Sequence, residues 1–196
     1  MARIEQSSDG HGSLRDIQLL INKNTKLIDR HIKTAFADLT NCIVNWQSPL
    51  QEDLYAEYRD NDFIDKVGLD NQEIKLSEFW PIQGPQWDAL ATTNQGVILV
   101  EAKANIPEIV SPATSAREKS KKLIDKSLKE TKDYLSIKNN IDWSGKFYQY
   151  TNRLAHLYFL RIKRDKPVYL INIYFIGDKS VNGPNTIQEW EAALQV

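Results

Sequence analysis

Apolar residues recur at helical spacing along the N-terminal quarter of the chain. Ser13 with Asp16 three residues later is a helix start signal of the capping type. Apolar side chains then return every three, four or seven positions, at Leu14, Ile17, Ile21, Ile28, Ile32, Phe36, Leu39 and Ile43. We predict a long amphipathic helix or a helix pair that reaches about residue 45 and packs or dimerises through its apolar face. Residues 1–12 are polar and are predicted to be a disordered lead-in.

A hydrophobic hairpin is predicted at about residues 79–104. Residues 97–100 are all apolar and rich in β-branched side chains, which is typical of a strand buried on both faces. Residues 94–96 have turn-forming chemistry between two strand-like segments. With residues 94 and 95 at the tip, Thr93 faces Gly96, and this register can be counted back along both strands.

The rest of the chain alternates between helical and strand-like segments. The pattern predicts a helix at 50–60, an irregular stretch at 61–79 with a short strand or helix near 63–69, helices at 113–137 and 143–163, a strand at 168–176 and a final helix at 186–194. This order favours an α/β fold with a mixed central sheet flanked by helices. We divide the chain into the lead-in 1–12, an N-terminal helical extension 13–46 and one domain 47–196.

Composition excludes several classes of protein. The chain has 196 residues and a net charge of −1, so it is not a protein that coats nucleic acid indiscriminately, although a local basic patch is compatible with these values. Its single cysteine, Cys42, excludes an internal disulfide and a cysteine-based zinc site. No apolar stretch is long enough to span a bilayer and no signal-peptide core is present, so we expect a cytoplasmic protein without a membrane partner.

Three ionisable residues lie on the predicted apolar hairpin, where charged side chains are not expected. The counted register places Asp88 opposite Glu101, and Lys103 points to the same side as Glu101 because it is two residues further along the strand. Like charges directly opposite each other destabilise a strand pair, and a buried charge needs a partner. A divalent cation between the carboxylates would supply one, because hard cations such as Mg²⁺ take oxygen ligands.

This arrangement resembles the PD-(D/E)xK phosphodiesterase superfamily, which includes restriction endonucleases and DNA-repair nucleases. Its members carry an aspartate at the start of the second core strand and an acidic-x-lysine triplet at the end of the third, here Asp88 and Glu101-Ala102-Lys103. Pro85 departs from the pattern, since it lies three residues before the aspartate instead of directly before it.

The resemblance implies a restriction-endonuclease-like fold and hydrolysis of nucleic acid, with DNA preferred over RNA, using Mg²⁺ or Mn²⁺. Asp88, Glu101 and the Ala102 carbonyl would hold the metal, and Lys103 would position the water. Glu57 would assist from a preceding helix, with Glu52 as the alternative.

A polar stripe is predicted on the helix at 143–163. Gln149, Asn152, Arg153 and His156 follow helical spacing, and amides with an arginine suit phosphate, sugar or base contacts. Gln149, Asn152 and Arg153 are therefore candidate substrate-binding residues, while a buried hydrogen-bonded stripe that ties helices together is the alternative. His156 alone is more typical of a structural residue. The lysines of the helix at 113–137 are interpreted as a solvated face, because they are mixed with acidic residues.

Two other functions stay open. A non-catalytic nucleic-acid-binding or scaffolding module could keep the same fold and residues. An interaction protein could instead use the N-terminal helix for homodimerisation.

Overall fold

The computed structural model describes residues 2–69 and 74–195, and helices and strands alternate along them. The strands are β1 Arg3–Ile4, β2 Asn45–Ser48, β3 Glu57–Tyr58, β4 Ala89–Thr93, β5 Gly96–Lys103 and β6 Val168–Tyr174. The α-helices are α1 Ser13–Lys23, α2 Thr25–Ala35, α3 Asp60–Lys66, α4 Leu76–Phe79, α5 Glu118–Tyr134, α6 Tyr148–Tyr158 and α7 Ile187–Leu194. Short 3-10 helices span Ala37–Leu39, Gln51–Asp53, Ile106–Ile109 and Lys179–Val181, and a π-helical segment, Phe159–Lys163, continues α6.

The centre of the described fold is a four-stranded mixed sheet in the order β2-β4-β5-β6. Strand β4 pairs antiparallel with both β2 and β5, while β5 and β6 are parallel. A parallel pair needs a crossover connection, and α5 and α6 provide it between β5 and β6. The predicted mixed α/β architecture is therefore confirmed at this level.

The β4–β5 hairpin has the register counted from the sequence. Thr93 pairs with Gly96, and the ladder continues to Ala89 and Val100. Every residue from 97 to 100 is buried, as predicted for a strand covered on both faces. A Cβ on Gly96, where φ is +152°, would lie 2.2 Å from the carbonyl oxygen of Pro167, so only glycine fits where the hairpin turn meets the start of β6.

Helices cover both faces of the sheet. On one face, Ile17 and Ile28 of the α1–α2 pair pack with Ile98 and Val100 in one apolar cluster. On the other face, Leu99 packs in a second cluster with residues of α3, α5 and α6. The helix pair, one of the two predicted alternatives, is thus part of the sheet's core.

The N-terminal segment differs from its prediction. Residues 3 and 4 form β1, which pairs antiparallel with β3, so the lead-in is not disordered there. A cluster of charges holds it: the Arg3 guanidinium donates to Asp53 Oδ1 at 2.8 Å. Ser13 is the first residue of α1 instead of its N-cap, and its hydroxyl donates to Glu108 Oε2 at 2.9 Å. The boundary between 46 and 47 stays a prediction, although β2 crosses it.

The predicted helix at 50–60 is wrong. Leu54 and Tyr55 both have a positive φ, 53° and 52°, which ends the helical turn after residue 53. The chain then becomes extended as β3, which pairs with β1, and α3 begins only at residue 60. The pairing partner lies some fifty residues away, so local propensity could not indicate it.

The other elements agree in type and differ in their ends. Helix α5 begins five residues later than predicted and α6 begins at Tyr148 instead of residue 143, because the 135–147 connection forms turns. The short element near 63–69 is the helix α3, and residues 70–73 of the predicted irregular stretch lie outside the described residues, as do residues 1 and 196.

Candidate active site at the end of the central hairpin

The end of strand β5 positions the predicted triplet. Glu101 and Lys103 lie on the same side of β5 as Leu99, toward α6, because side chains alternate along a strand. Asp88 lies one residue before β4, next to the last ladder pair. Its carboxylate accepts a hydrogen bond of 2.6 Å from the backbone N–H of Ala102. The hairpin therefore brings Asp88, Glu101 and Lys103 together as the counted register predicts.

Glu101 is buried and compensated by two cations of the chain. Only 4% of its surface is exposed. Lys103 Nζ binds Glu101 Oε1, and the Arg153 guanidinium binds Glu101 Oε2 at 2.7 Å through one terminal nitrogen and at 2.8 Å through Nε. Lys103 Nζ also donates to Gln149 Oε1 at 3.0 Å. These contacts fix both the carboxylate and the ammonium group in one orientation.

Glu57 reaches the site from β3 instead of from a helix. It is 5% exposed, and its Oε2 accepts hydrogen bonds from Gln6 and Gln86. Burial, together with the negative charge of Glu101, raises the pKa of Glu57 to about 7. Glu52, the alternative acid, is exposed on the preceding 3-10 turn.

Asp88 is influenced by the two neighbouring carboxylates. The pKa of Asp88 lies well above its usual range, chiefly because the group is desolvated and also because the charges of Glu101 and Glu57 oppose its ionisation. Lys103 and the Ala102 amide act in the opposite direction. This arrangement favours a bound proton or an added cation, since either would relieve the repulsion between the carboxylates.

The polar stripe of α6 faces this site. Gln149 contacts Lys103, and the Arg153 side chain, 4% exposed, also donates to Asn152 Oδ1 at 2.9 Å and to the backbone carbonyl of Gln86 at 2.8 Å. The stripe is thus a hydrogen-bonded network at the end of β5, and Arg153 ties α6 to β5 and to the segment that leads into β4.

His156 lies further along α6 and is fully buried among aromatic rings. Its Nδ1 is 2.8 Å from the carbonyl oxygen of Asn152. Burial lowers the pKa of His156 to about 3. The neutral form is therefore the one present at neutral pH, in agreement with the predicted structural role.

A cleft of about 1050 Å³ opens over the triplet. Asp88, Glu101, Lys103, Gln149 and Asn152 all line it, so most of the predicted site residues share one cavity. Its other walls come from the chain segments at 80–83 and 110–117 and from the start of α5.

No group of three or more His, Cys, Asp or Glu side chains arranged to hold a metal ion occurs among residues 2–69 and 74–195. The available oxygens are those of Asp88, Glu101 and the Ala102 carbonyl. Each carboxylate already accepts from a protein donor, and a carboxylate has about four lone-pair sites on its two oxygens, so a cation could bind beside the contacts from Lys103 and Arg153. The donor set suits a hard cation such as Mg²⁺ or Mn²⁺, which prefers carboxylate and carbonyl oxygens.

Two glutamines of the site were not predicted. Gln86 donates to Glu57 through its side chain and accepts from Arg153 through its carbonyl, so it connects two predicted residues. Gln6 comes from the segment predicted to be disordered. A single neutral side chain in a polar or turn segment carries no periodic signal, and only the β1–β3 pairing brings Gln6 to Glu57.

The positive charge of the lysine-rich helix α5 is largely compensated by acidic residues of the same helix. Lys121 pairs with Asp125, Lys122 with Glu118 and Lys129 with Asp133, each four residues apart. These pairs agree with the interpretation of α5 as a solvated, mixed-charge face. Among the described residues, no helix has the length and apolar character needed to cross a membrane.

No protein-family model, curated protein or solved structure matches this chain. None of these comparisons identifies a superfamily for the chain.

Proposed function

We propose that this protein is a metal-dependent nuclease of the PD-(D/E)xK type with a restriction-endonuclease-like fold, acting on nucleic acid with DNA preferred over RNA. One observation carries the proposal. Asp88 and Glu101, thirteen residues apart in sequence, meet at the end of a buried hairpin beside Lys103, in an open cleft. Glu101 is buried and Asp88 is partly buried, and bringing two such carboxylates together is costly; a cation with a phosphate ligand would make use of that arrangement.

Each residue has a distinct part in the proposed chemistry. Asp88, Glu101 and the Ala102 carbonyl would hold Mg²⁺ or Mn²⁺, which supplies water activation and charge stabilisation on the scissile phosphate. Lys103, held by Gln149, would orient the attacking water or stabilise the negative charge that develops.

The remaining residues support this set. Glu57, with its pKa near 7, can hold or release a proton next to Asp88 at neutral pH. Gln149 and Asn152 line the cleft and would contact the substrate. Arg153 is too buried for direct contact with substrate and would position Glu101.

A cleavage assay tests the catalytic assignment. Purified protein is incubated with DNA and with RNA in Mg²⁺ or Mn²⁺, beside the Asp88→Ala and Lys103→Ala variants. We expect each variant to lose cleavage by at least about 100-fold, since each removes a directly participating group. Lys129→Ala changes an exposed lysine of α5 and should cleave like the wild type. Equal cleavage by both site variants and the wild type, or no cleavage of any substrate, would refute the assignment.

A non-catalytic nucleic-acid-binding or scaffolding module is the second candidate, and one observation favours it. The Glu101 carboxylate is already compensated by Lys103 and Arg153, so the pair of carboxylates does not require a metal ion to be stable. Calorimetric titration with Mg²⁺ and Mn²⁺ separates the candidates. Binding that disappears in Asp88→Asn supports the nuclease, and no binding by the wild type supports the module.

A further inference from the structure

The cleft above the candidate site has an unusual balance of charges for a nucleic-acid site. Asp88, Glu101 and Glu108 line it with three carboxylates, whereas Lys103 and Arg117 are the cations among its described lining residues. Lys103 is bound to Glu101 and Gln149. Arg117, which is exposed at the start of α5, is therefore the cation of this lining that is available to a backbone phosphate.

Helix α5 does not add further cations to the cleft. Arg117, Ser120 and Ile124 line the cavity, at positions that share one side of a helix. Lys119 lies about 200° around the helix from Arg117, on the side away from the cleft. Lys121 and Lys122 are paired with acidic residues of the same helix.

Recognition of duplex DNA needs more than this cleft offers. Proteins that bind duplexes commonly neutralise about 6–10 phosphates with lysine and arginine, whereas Arg117 is the exposed cation of this lining. The cleft has a volume of about 1050 Å³, close to the range of about 300–1,000 Å³ that is typical of pockets for small ligands. A volume of this size suits a few nucleotides of one strand.

The walls of the cleft offer apolar contacts to unstacked bases. Ile82 is 79% exposed and Val110 is 53% exposed, and both line the cavity. The Tyr148 ring, also in the lining, packs beside the ring of Trp80, with ring centroids 6.4 Å apart and planes 19° from parallel. In a duplex the faces of the bases are covered by stacking, whereas an unpaired strand presents them to such surfaces.

We infer that the cleft binds single-stranded nucleic acid, with one or two backbone phosphates near Arg117 and the candidate metal site and with bases against Ile82, Val110 and Tyr148. This rests on the proposed function for the identity of the ligand, and it adds the form of the substrate. Duplex nucleic acid would reach the cleft only at an unpaired end or a frayed site.

Binding is measured by fluorescence anisotropy with labelled single strands of about 12 nucleotides and with the matched duplex, in Ca²⁺ to support binding. We expect the single strand to bind at least about tenfold more tightly than the duplex. Between about 50 and 200 mM salt the slope of log K against log salt should be between about −0.7 and −1.4, as for one or two phosphates. Arg117→Gln should make the slope less negative by about 0.7, and the matched control Lys119→Gln should leave it unchanged.

The outcomes distinguish this inference from the proposed function. Duplex binding as tight as single-strand binding, a slope steeper than about −3, or no binding of either form would overturn the inference. A single strand that binds as expected but is not cut in Mg²⁺ or Mn²⁺ would support the inference while refuting the nuclease. Cleavage of a duplex at internal sites, lost in Asp88→Ala, would support the nuclease while refuting the inference.

Discussion

Arg153 and Glu101 form a buried ion pair, and removing one partner should destabilise the folded protein strongly. Arg153→Met keeps most of the side-chain length and removes the guanidinium. The substitution removes the two contacts of 2.7 and 2.8 Å to Glu101, and it also removes the donors to Asn152 and to the Gln86 carbonyl. Breaking a buried pair from one side costs about 3–5 kcal/mol. Lys103 still compensates part of the Glu101 charge, so we expect a value near the lower end of this range.

Urea unfolding provides the measurement. The midpoint of Arg153→Met should fall while the m-value stays constant, because the surface exposed on unfolding changes little. Lys129→Met is the matched control, since it removes the lysine of an exposed pair with Asp133 and should change stability by less than about 1 kcal/mol. A loss below about 1 kcal/mol for Arg153→Met would show that the buried pair behaves like a surface pair and would refute the reasoning.

A double-mutant cycle tests the physical cause. In Arg153→Met combined with Glu101→Gln, no uncompensated carboxylate is left in the pair. The double variant should therefore be more stable than the sum of the two single losses predicts, by at least about 1 kcal/mol. Additive losses would mean that the two side chains do not interact energetically, whatever their distance.

Three further predictions concern pH and the backbone. His156 has a folded-state pKa of about 3 against 6.5 unfolded, so the stability that its neutral form contributes is fully present above pH 6.5 and is lost as the pH falls. Relative to His156→Leu, the wild type should lose up to about 1.4 kcal/mol of unfolding free energy for each pH unit between 6 and 3. A difference between the two in urea unfolding that does not change with pH would contradict this. Asp16 has a pKa of about 6, raised chiefly by burial, so its ionised form is disfavoured in the fold. Asp16→Asn should therefore gain thermal stability relative to the wild type as the pH rises from 4 to above 6. A difference in melting temperature that stays constant over this pH range would exclude the shift. Gly96→Ala should lower the unfolding free energy by more than about 1 kcal/mol because the new Cβ meets Pro167. Gly68→Ala has a φ of +67° and open space around the new Cβ, so it should cost less; equal losses would show that the contact with Pro167 carries no weight.

Local sequence determined the hairpin and the candidate triplet. A turn at residues 94 and 95 sets the pairing of the strands that flank it, and the period of two along each strand then decides which side chains share a face. Asp88 and Glu101 were therefore placed together by counting alone, and the buried strand at 97–100 followed from its uninterrupted apolar side chains. Helical spacing likewise predicted the stripe on α6 that faces this site, because periodicity is a property of the local chain.

The tertiary structure decided how the site is completed. Glu57 was expected on a helix, but the pairing of β3 with β1 makes that segment extended and directs Glu57 toward Gln86. Gln6 joins it from a segment whose composition indicates disorder. The contacts of Arg153 with Glu101 and Gln86 also depend on how α6 docks on the sheet. These contacts join residues some thirty to seventy positions apart, and their free energies depend on burial and distance. Neither the propensity nor the periodicity of the local sequence gives that information.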